Sequence, residues 1–311
     1  VLSPEISLLG SEYADTGRGD YEHFMLKEIF EQPDAVRNTL RGRLDPERGN
    51  TTLGGLNLSP RELADITRIV IAGCGSSLHA GLIGKYYIED LAGIPAAVEQ
   101  AAEFRYRNPI IEPHTMVVPI SQSGETADTL AAVHEAVNKG AVVAAISNVV
   151  GSTIARTCAR GIYLHAGPEI SVASTKAFNC QLTALLLLAL KFARNRRLSH
   201  EQGRHIVEAV SRLPELIGMV LEQADIIRQI AEKYAGLRDF FFIGRGTLYP
   251  VALEGALKLK EISYVHAEGY HAAELKHGPI SQLGPDAPVI AMANRGPGYD
   301  KLLGNIEECA A

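Results

Sequence analysis

The stretch TMVVPISQSGETADTL, residues 115–130, runs from a β-branched apolar segment into a cluster of serine, glutamine, glycine and threonine, then towards the helical pattern AAVHEAV. Its first part reads as a buried strand and its last part as a helix start, with a polar turn between them. The same succession recurs along the chain. ITRIVIAG (66–73), AVVAAIS (141–147) and GIYLHAG (161–167) each read as a strand followed by a helix, the last leading to QLTALLLLALKFARNRR (181–197). Strands that alternate with helices predict an α/β fold with a parallel sheet covered on both faces, and sites in such sheets lie at the carboxyl ends of the strands.

Three turns share one design: Gly73-Cys74-Gly75-Ser76-Ser77, Ser121-Gln122-Ser123-Gly124-Glu125-Thr126 and Ser171-Val172-Ala173-Ser174-Thr175. Each closes a strand, is rich in hydroxyls and opens a helix. A helix N-terminus carries unpaired N–H groups and partial positive charge, so these turns are candidate cradles for a phosphate. Serine and threonine also cap helices, so any one turn could be structural. Three at successive strand ends point to one ligand. GCGSSL is neither a dinucleotide fingerprint, since Leu78 stands where the third glycine belongs, nor a Walker loop, since no GK[ST] follows.

The chain also repeats itself. IAGCGSSL (71–78) aligns with FIGRGTLY (242–249), and AAEFR (101–105) with AAELK (272–276) at the same displacement. A duplicated domain follows, with Ser199–Tyr234 as a connecting helical hairpin whose second helix opens at Pro214. The expected division is 1–44 as linker, 45–198 as first domain, 199–236 as connection and 237–311 as an incomplete second domain. Where the first copy has Ser121–Gly124, the second has Met292-Ala293-Asn294-Arg295, so only the first is expected to hold a phosphate. The second copy instead places Glu254, Lys258 and Glu261 on one helical face among apolar neighbours. That row is either an exposed ion-pair ladder or an acid–base set for moving a proton between adjacent carbons. His266, His271 and His277 follow, His277 at a loop in ELKHGP. Cys74 is either a reactive thiol at a helix start or a small packing residue.

The 311 residues are 46% hydrophobic with a formal charge of −6 and pI near 6.0. That suffices for real cores and supplies no basic patch for nucleic acid or anionic lipid. The longest apolar run, Leu182–Leu190, is far shorter than a membrane span, and no secretory signal opens the chain. Four cysteines without metal-ligand spacing suit a reducing compartment, so a cytoplasmic protein is expected.

GCGSS, SQSGETADT, VASTKAF, ALEGALKLKEISY and AEGYHAAELKHGP together resemble the isomerase part of the glutamine:fructose-6-phosphate aminotransferase (glucosamine-6-phosphate synthase) family. The likeness runs from about Tyr21 to Glu308. It implies two tandem flavodoxin-like sugar isomerase (SIS) domains and a role in amino-sugar biosynthesis. By position, Ser121, Gln122, Ser123 and Thr126 with Ser77 would bind the phosphate of fructose 6-phosphate or glucosamine 6-phosphate. Cys74, Val172 and Ser174 would line the sugar, with Ser76 in the same first loop. Glu261 would shuttle a proton between C1 and C2 beside Lys258. His277 would open the ring from the neighbouring subunit of a homodimer. No metal or organic cofactor is implied. The family's glutaminase domain is expected to be absent, with Val1–Asp20 at most its trailing edge. The C-terminal tail that supplies a Schiff-base lysine is expected to be missing too, leaving a fragment that mainly binds. A fructosamine-phosphate deglycase and a non-catalytic sugar-phosphate sensor are the competing readings.

Overall fold

The computed structural model describes residues 17–311, so all but the last four residues of the expected glutaminase edge, Val1–Asp20, lie outside the described residues. Two short helices, α1 (Phe24–Phe30) and α2 (Gln32–Leu40), precede a small hairpin of β1 (Leu44–Asp45) and β2 (Asn50–Thr51). Ala35, Val36 and Leu40 of α2 are buried in the core of the first domain, so this stretch of the expected linker is part of that domain's packing. Helix α3 (Pro60–Asp65) follows. Its start is fixed by a capping box, in which the Ser59 hydroxyl accepts from the Glu62 N–H and the Glu62 side chain accepts from the Ser59 N–H.

The first sheet contains β3 (Arg68–Gly73), β4 (Ala96–Gln100), β5 (Thr115–Ser121), β6 (Val142–Val143), β7 (Ala145–Ser147) and β8 (Gly161–Tyr163). Its order is β4-β3-β5-β7-β8, all parallel, with β6 also pairing β5. Counting β6 and β7 as one interrupted strand, the order is 2-1-3-4-5, the flavodoxin-like arrangement. The central strands are apolar throughout because both faces are covered. Ile69, Ile71, Met116, Val118 and Ile120 enter one core, with α4 (Ser76–Tyr87) and α8 (Lys176–Arg196). Val70, Val117 and Val143 enter the other, with α5 (Ala101–Tyr106), α6 (Ala127–Asn138) and α7 (Thr153–Cys158). Helix α8 is long and apolar enough to cross a membrane, but 78% of its most apolar window is buried here, as in a core helix.

The connection read as a two-helix hairpin is three helices: α9 (His200–Ser211), α10 (Leu213–Leu221) and α11 (Ala224–Tyr234). Pro214 opens α10 as expected. The extra break follows from a tight turn in which the Gln223 N–H donates to the Val220 carbonyl.

The second domain has β9 (Asp239–Gly244), α12 (Leu248–Ser263), β10 (His266–His271), β11 (Val289–Ala291) and α13 (Tyr299–Ala310), with parallel order β10-β9-β11. The internal repeat is visible in the strand registers. Phe240 faces Ala267 as Ile69 faces Ala96, each partner displaced by 171 positions. Beyond β10 the displacement is one greater, since Val289 faces Phe241 whereas Val117 faces Val70. One residue has therefore been inserted between these strands. AAELK does not repeat the helix of AAEFR. It forms a turn and a short 3-10 segment, Leu275–His277, closed by Gly278 at φ 144° and by Pro279. Helices α4 and α12, counterparts in the repeat, pack against each other and join the two domains.

Candidate active site

The strand order reverses between β3 and β5, and ligands of open α/β sheets bind in the crevice at such a reversal. The turns that leave those strands are Gly73–Ser77 and Ser121–Thr126. The third turn, Ser171–Thr175, opens α8, which lies against α4. Gln181 of α8 ties the first and third turns together, its Nε2 donating to Ser77 Oγ at 3.1 Å.

None of the three helices after these turns has a side-chain cap. Gly75, Thr126 and Thr175 stand at the cap positions without making the capping bond. The hydroxyls instead shape the turns. Ser121 Oγ accepts from the Gly124 N–H at 3.0 Å and pairs with Thr126 Oγ1 at 2.9 Å, while Ser123 Oγ accepts from the Glu125 N–H at 3.1 Å. Ser77 and Ser123 thus accept and keep a proton to donate to an anion. Gly75 and Gly124 adopt φ +52° and +68°, and a Cβ on Gly124 would overlap the buried Ser152 side chain. Thr175 Oγ1 and Gln181 Oε1, beside the third turn, are buried polar atoms without a protein partner.

The third turn is braced from outside. Glu28 of α1 is buried, 2% exposed, and accepts from the N–H groups of Ile170 and Ser171 at 2.6 and 3.2 Å and from the Ser171 hydroxyl. Buried Lys176 pairs with Glu31 at 2.6 Å. Ser174 donates to Glu169 at 2.9 Å, and Val172 projects outward, 92% exposed.

The row on α12 is no solvated ladder. Glu254 is buried, and its carboxylate accepts from Ser76 Oγ at 2.7 Å and pairs with His79 Nδ1 at 2.7 Å, both on α4. Lys258 Nζ lies 3.3 Å from Glu254, 2.7 Å from Glu261 and 3.1 Å from Ser76 Oγ. Burial pushes the Glu254 carboxyl up, but the hydrogen bonds from His79 and Ser76 and the Lys258 charge outweigh it, holding the group below the usual carboxylate range. The fold thus brings Ser76, Lys258 and Glu261 together across the domain boundary.

His277 is exposed at the end of its 3-10 turn, next to Lys276, whose Nζ pairs with Glu308 of α13 at 3.3 Å. No bond among the described residues joins it to Lys258 or Glu261. His266 pairs with Asp239 at 3.0 Å and His271 packs edge-on to Tyr249. Cys74 is half-buried against the second core. His79, Gln181 and Glu28 were not singled out by sequence. His79 lies three residues after Ser76, the spacing of one helical face, which was the available signal.

A cavity of about 420 Å³ lies at the amino ends of β9 and β10, lined by Asp239, His266 and Asp286 and remote from the three turns. Among the described residues no group of three or more His, Cys, Asp or Glu is placed to hold a metal ion.

Two parallel sheets flanked by helices, hydroxyl-rich turns at the strand reversal of the first and a Lys–Glu pair brought to them by the second domain define a tandem SIS-type architecture. The sequence signature of the SIS domain matches residues 62–191 and 235–311. Glutamine--fructose-6-phosphate aminotransferase [isomerizing] of Chlorobaculum tepidum is 53% identical over 94% of this chain and 47% of its own length. The protein of that name from a strain of Thermus thermophilus is 48% identical over 94% of this chain and 48% of its own. The chain spans about half the length of the curated relatives it matches. The C-terminal domain of glucosamine-fructose-6-phosphate aminotransferase from Francisella tularensis superposes with a TM-score of 0.90 at 39% identity, covering 95% of this chain and 82% of that one. The chain belongs to the SIS-domain family and, within it, to the isomerase part of the glutamine–fructose-6-phosphate aminotransferases.

Proposed function

We propose that this chain is the isomerising part of an enzyme that converts fructose 6-phosphate, with ammonia released from glutamine, into glucosamine 6-phosphate. The observation that carries the reading is the Lys258–Glu261 pair hydrogen-bonded to Ser76, at the start of the helix that follows the first turn. The phosphate sits among Ser77, Ser121, Gln122, Ser123 and Thr126, neutralised by N–H groups and hydroxyls rather than by cations. Cys74, Ser174 and the backbone at Val172, whose side chain projects outward, line the sugar. Ammonia adds at C2 and water leaves, forming the C2 imine. Glu261 takes a C1 proton as the C1–C2 double bond forms and the imine nitrogen is protonated, giving an enolamine; Glu261 then returns its proton to C2 as the O1 proton is released, offsetting the one taken up by nitrogen, and the C1 aldehyde forms. Lys258 keeps the Glu261 carboxylate in place during transfer. His277 acts on ring opening from a second copy of the chain in a homodimer, and a glutaminase domain supplies the ammonia in the full-length cytoplasmic protein.

Calorimetric titration with glucosamine 6-phosphate, using glucosamine as the control, tests the cradle. Saturable binding that needs the phosphate and is lost in Ser123→Ala is expected. Equal binding of both sugars would reject the assignment. In the full-length protein, Glu261→Gln is expected to abolish turnover and keep sugar-phosphate affinity. A variant that turns over normally would remove Glu261 as the base.

A further inference from the structure

We propose that His79 and Glu254 are positioning residues for proton transfer, fixing the Lys258 ammonium between two carboxylates. This rests on the isomerase reading above. The Glu254 carboxylate is held at both oxygens by one turn of α4: Oε1 accepts from Ser76 Oγ, and Oε2 is paired with His79 Nδ1, each at 2.7 Å. A carboxylate accepting at both oxygens cannot rotate without breaking a short hydrogen bond. Lys258 then meets a fixed oxygen of Glu254 at 3.3 Å and Glu261 at 2.7 Å. Glu254 thereby holds the ammonium from one side while the ammonium bonds Glu261 at 2.7 Å on the other, which fixes where the carboxylate that must take the proton stands. His79 is the part of this arrangement that no sugar-facing role explains. It is half-buried, the one described hydrogen bond of its ring is to Glu254, and it lies on the opposite side of the domain boundary from the base.

With ionised Glu254 accepting only, His79 must supply the proton at Nδ1. An asparagine amide can donate from nearly the same place. A leucine cannot. In the full-length enzyme His79→Leu should therefore lower the turnover of fructose 6-phosphate roughly 10- to 100-fold, the range for displaced catalytic groups. KM should stay within about twofold, because the His79 ring bonds to Glu254 and makes no described bond to a hydroxyl of the phosphate turns, while its backbone bond to Gly75 is kept in the variants. His79→Asn should restore most of the turnover, and Glu254→Gln should resemble His79→Leu. Turnover is normalised to sites that bind glucosamine 6-phosphate by calorimetry, so misfolded protein is not counted.

Solvent deuterium incorporation at C2 gives a second readout, slowed in parallel with turnover if proton transfer is the affected step. Unchanged normalised turnover in His79→Leu, or an asparagine variant as slow as the leucine one, would overturn the proposal while the parent remains an isomerase. A parent that binds and turns over no sugar phosphate would overturn the isomerase reading and this inference with it.

Discussion

Replacing Glu28 by alanine would unfasten the third turn from outside the site. The carboxylate is 2% exposed and accepts three hydrogen bonds, from the Ile170 and Ser171 N–H groups and from the Ser171 hydroxyl. Hydrogen bonds to a charged group contribute about 1.5–3 kcal/mol each, and a buried donor left unpaired costs about 1–3 kcal/mol. Two features reduce the sum: Ile170 is an exposed residue, so water reaches its neighbourhood, and the Ser171 hydroxyl has the Ala173 carbonyl at 3.0 Å to which its one proton turns when Glu28 is gone. A loss of about 2–4 kcal/mol remains, which for a domain of this size lowers the first domain's melting temperature by roughly 5–10 °C. Differential scanning calorimetry follows that transition, and a titration with glucosamine 6-phosphate should show affinity falling about tenfold as the turn loosens. Glu28→Gln keeps one acceptor oxygen and should recover part of both losses. A Glu28→Ala protein that melts within about 1 °C of the parent and binds equally well would refute the bracing role.

Gly124→Ala should fold yet lose most sugar-phosphate affinity, since its positive φ and its closeness to Ser152 both oppose a side chain; adding Ser152→Gly should recover part of the loss in the same titration. Burial pushes the thiols of Cys158 and Cys180 up to about 12, so iodoacetamide at pH 8 should spare both in the folded chain and label them after denaturation, as read by mass spectrometry. Because Glu254 is held below the usual carboxylate range, its stabilisation is full above the unfolded pKa and is lost as pH falls through the folded one. The stability gap between the parent and Glu254→Gln, measured by urea unfolding, should be level from neutral down to about pH 5 and shrink below it; a gap that widens in acid would contradict the assigned hydrogen bonds.

The strand–turn–helix succession was legible because β3, β5 and β7 are buried on both faces, leaving largely apolar runs ended by glycine or serine. The repeat was legible because β3 and β9 keep the same glycines at their ends. What stayed hidden depends on distant partners. Nothing near Glu28 announces a bond to Ser171, 143 positions away. Likewise, the charges on α12 read equally well as a solvated row until α4 is laid across Glu254. The one-residue insertion after β10 could not be seen either, because that stretch of the second copy shares too few residue types with the first to set a register.

The packing of α4 on α12 also carries a history. These helices occupy equivalent places in the two copies, so the join is that of a symmetric dimer whose subunits have been fused into one chain. In such a dimer every contact is made twice and a single codon governs both halves of it. Here the counterpart of Glu254 is Ile83, and those of Ser76 and His79 are Thr247 and Pro250, so the carboxylate bridge is built on one side of the pseudo-axis alone. Within one chain the two sides are encoded separately, so each half can carry side chains that the other lacks.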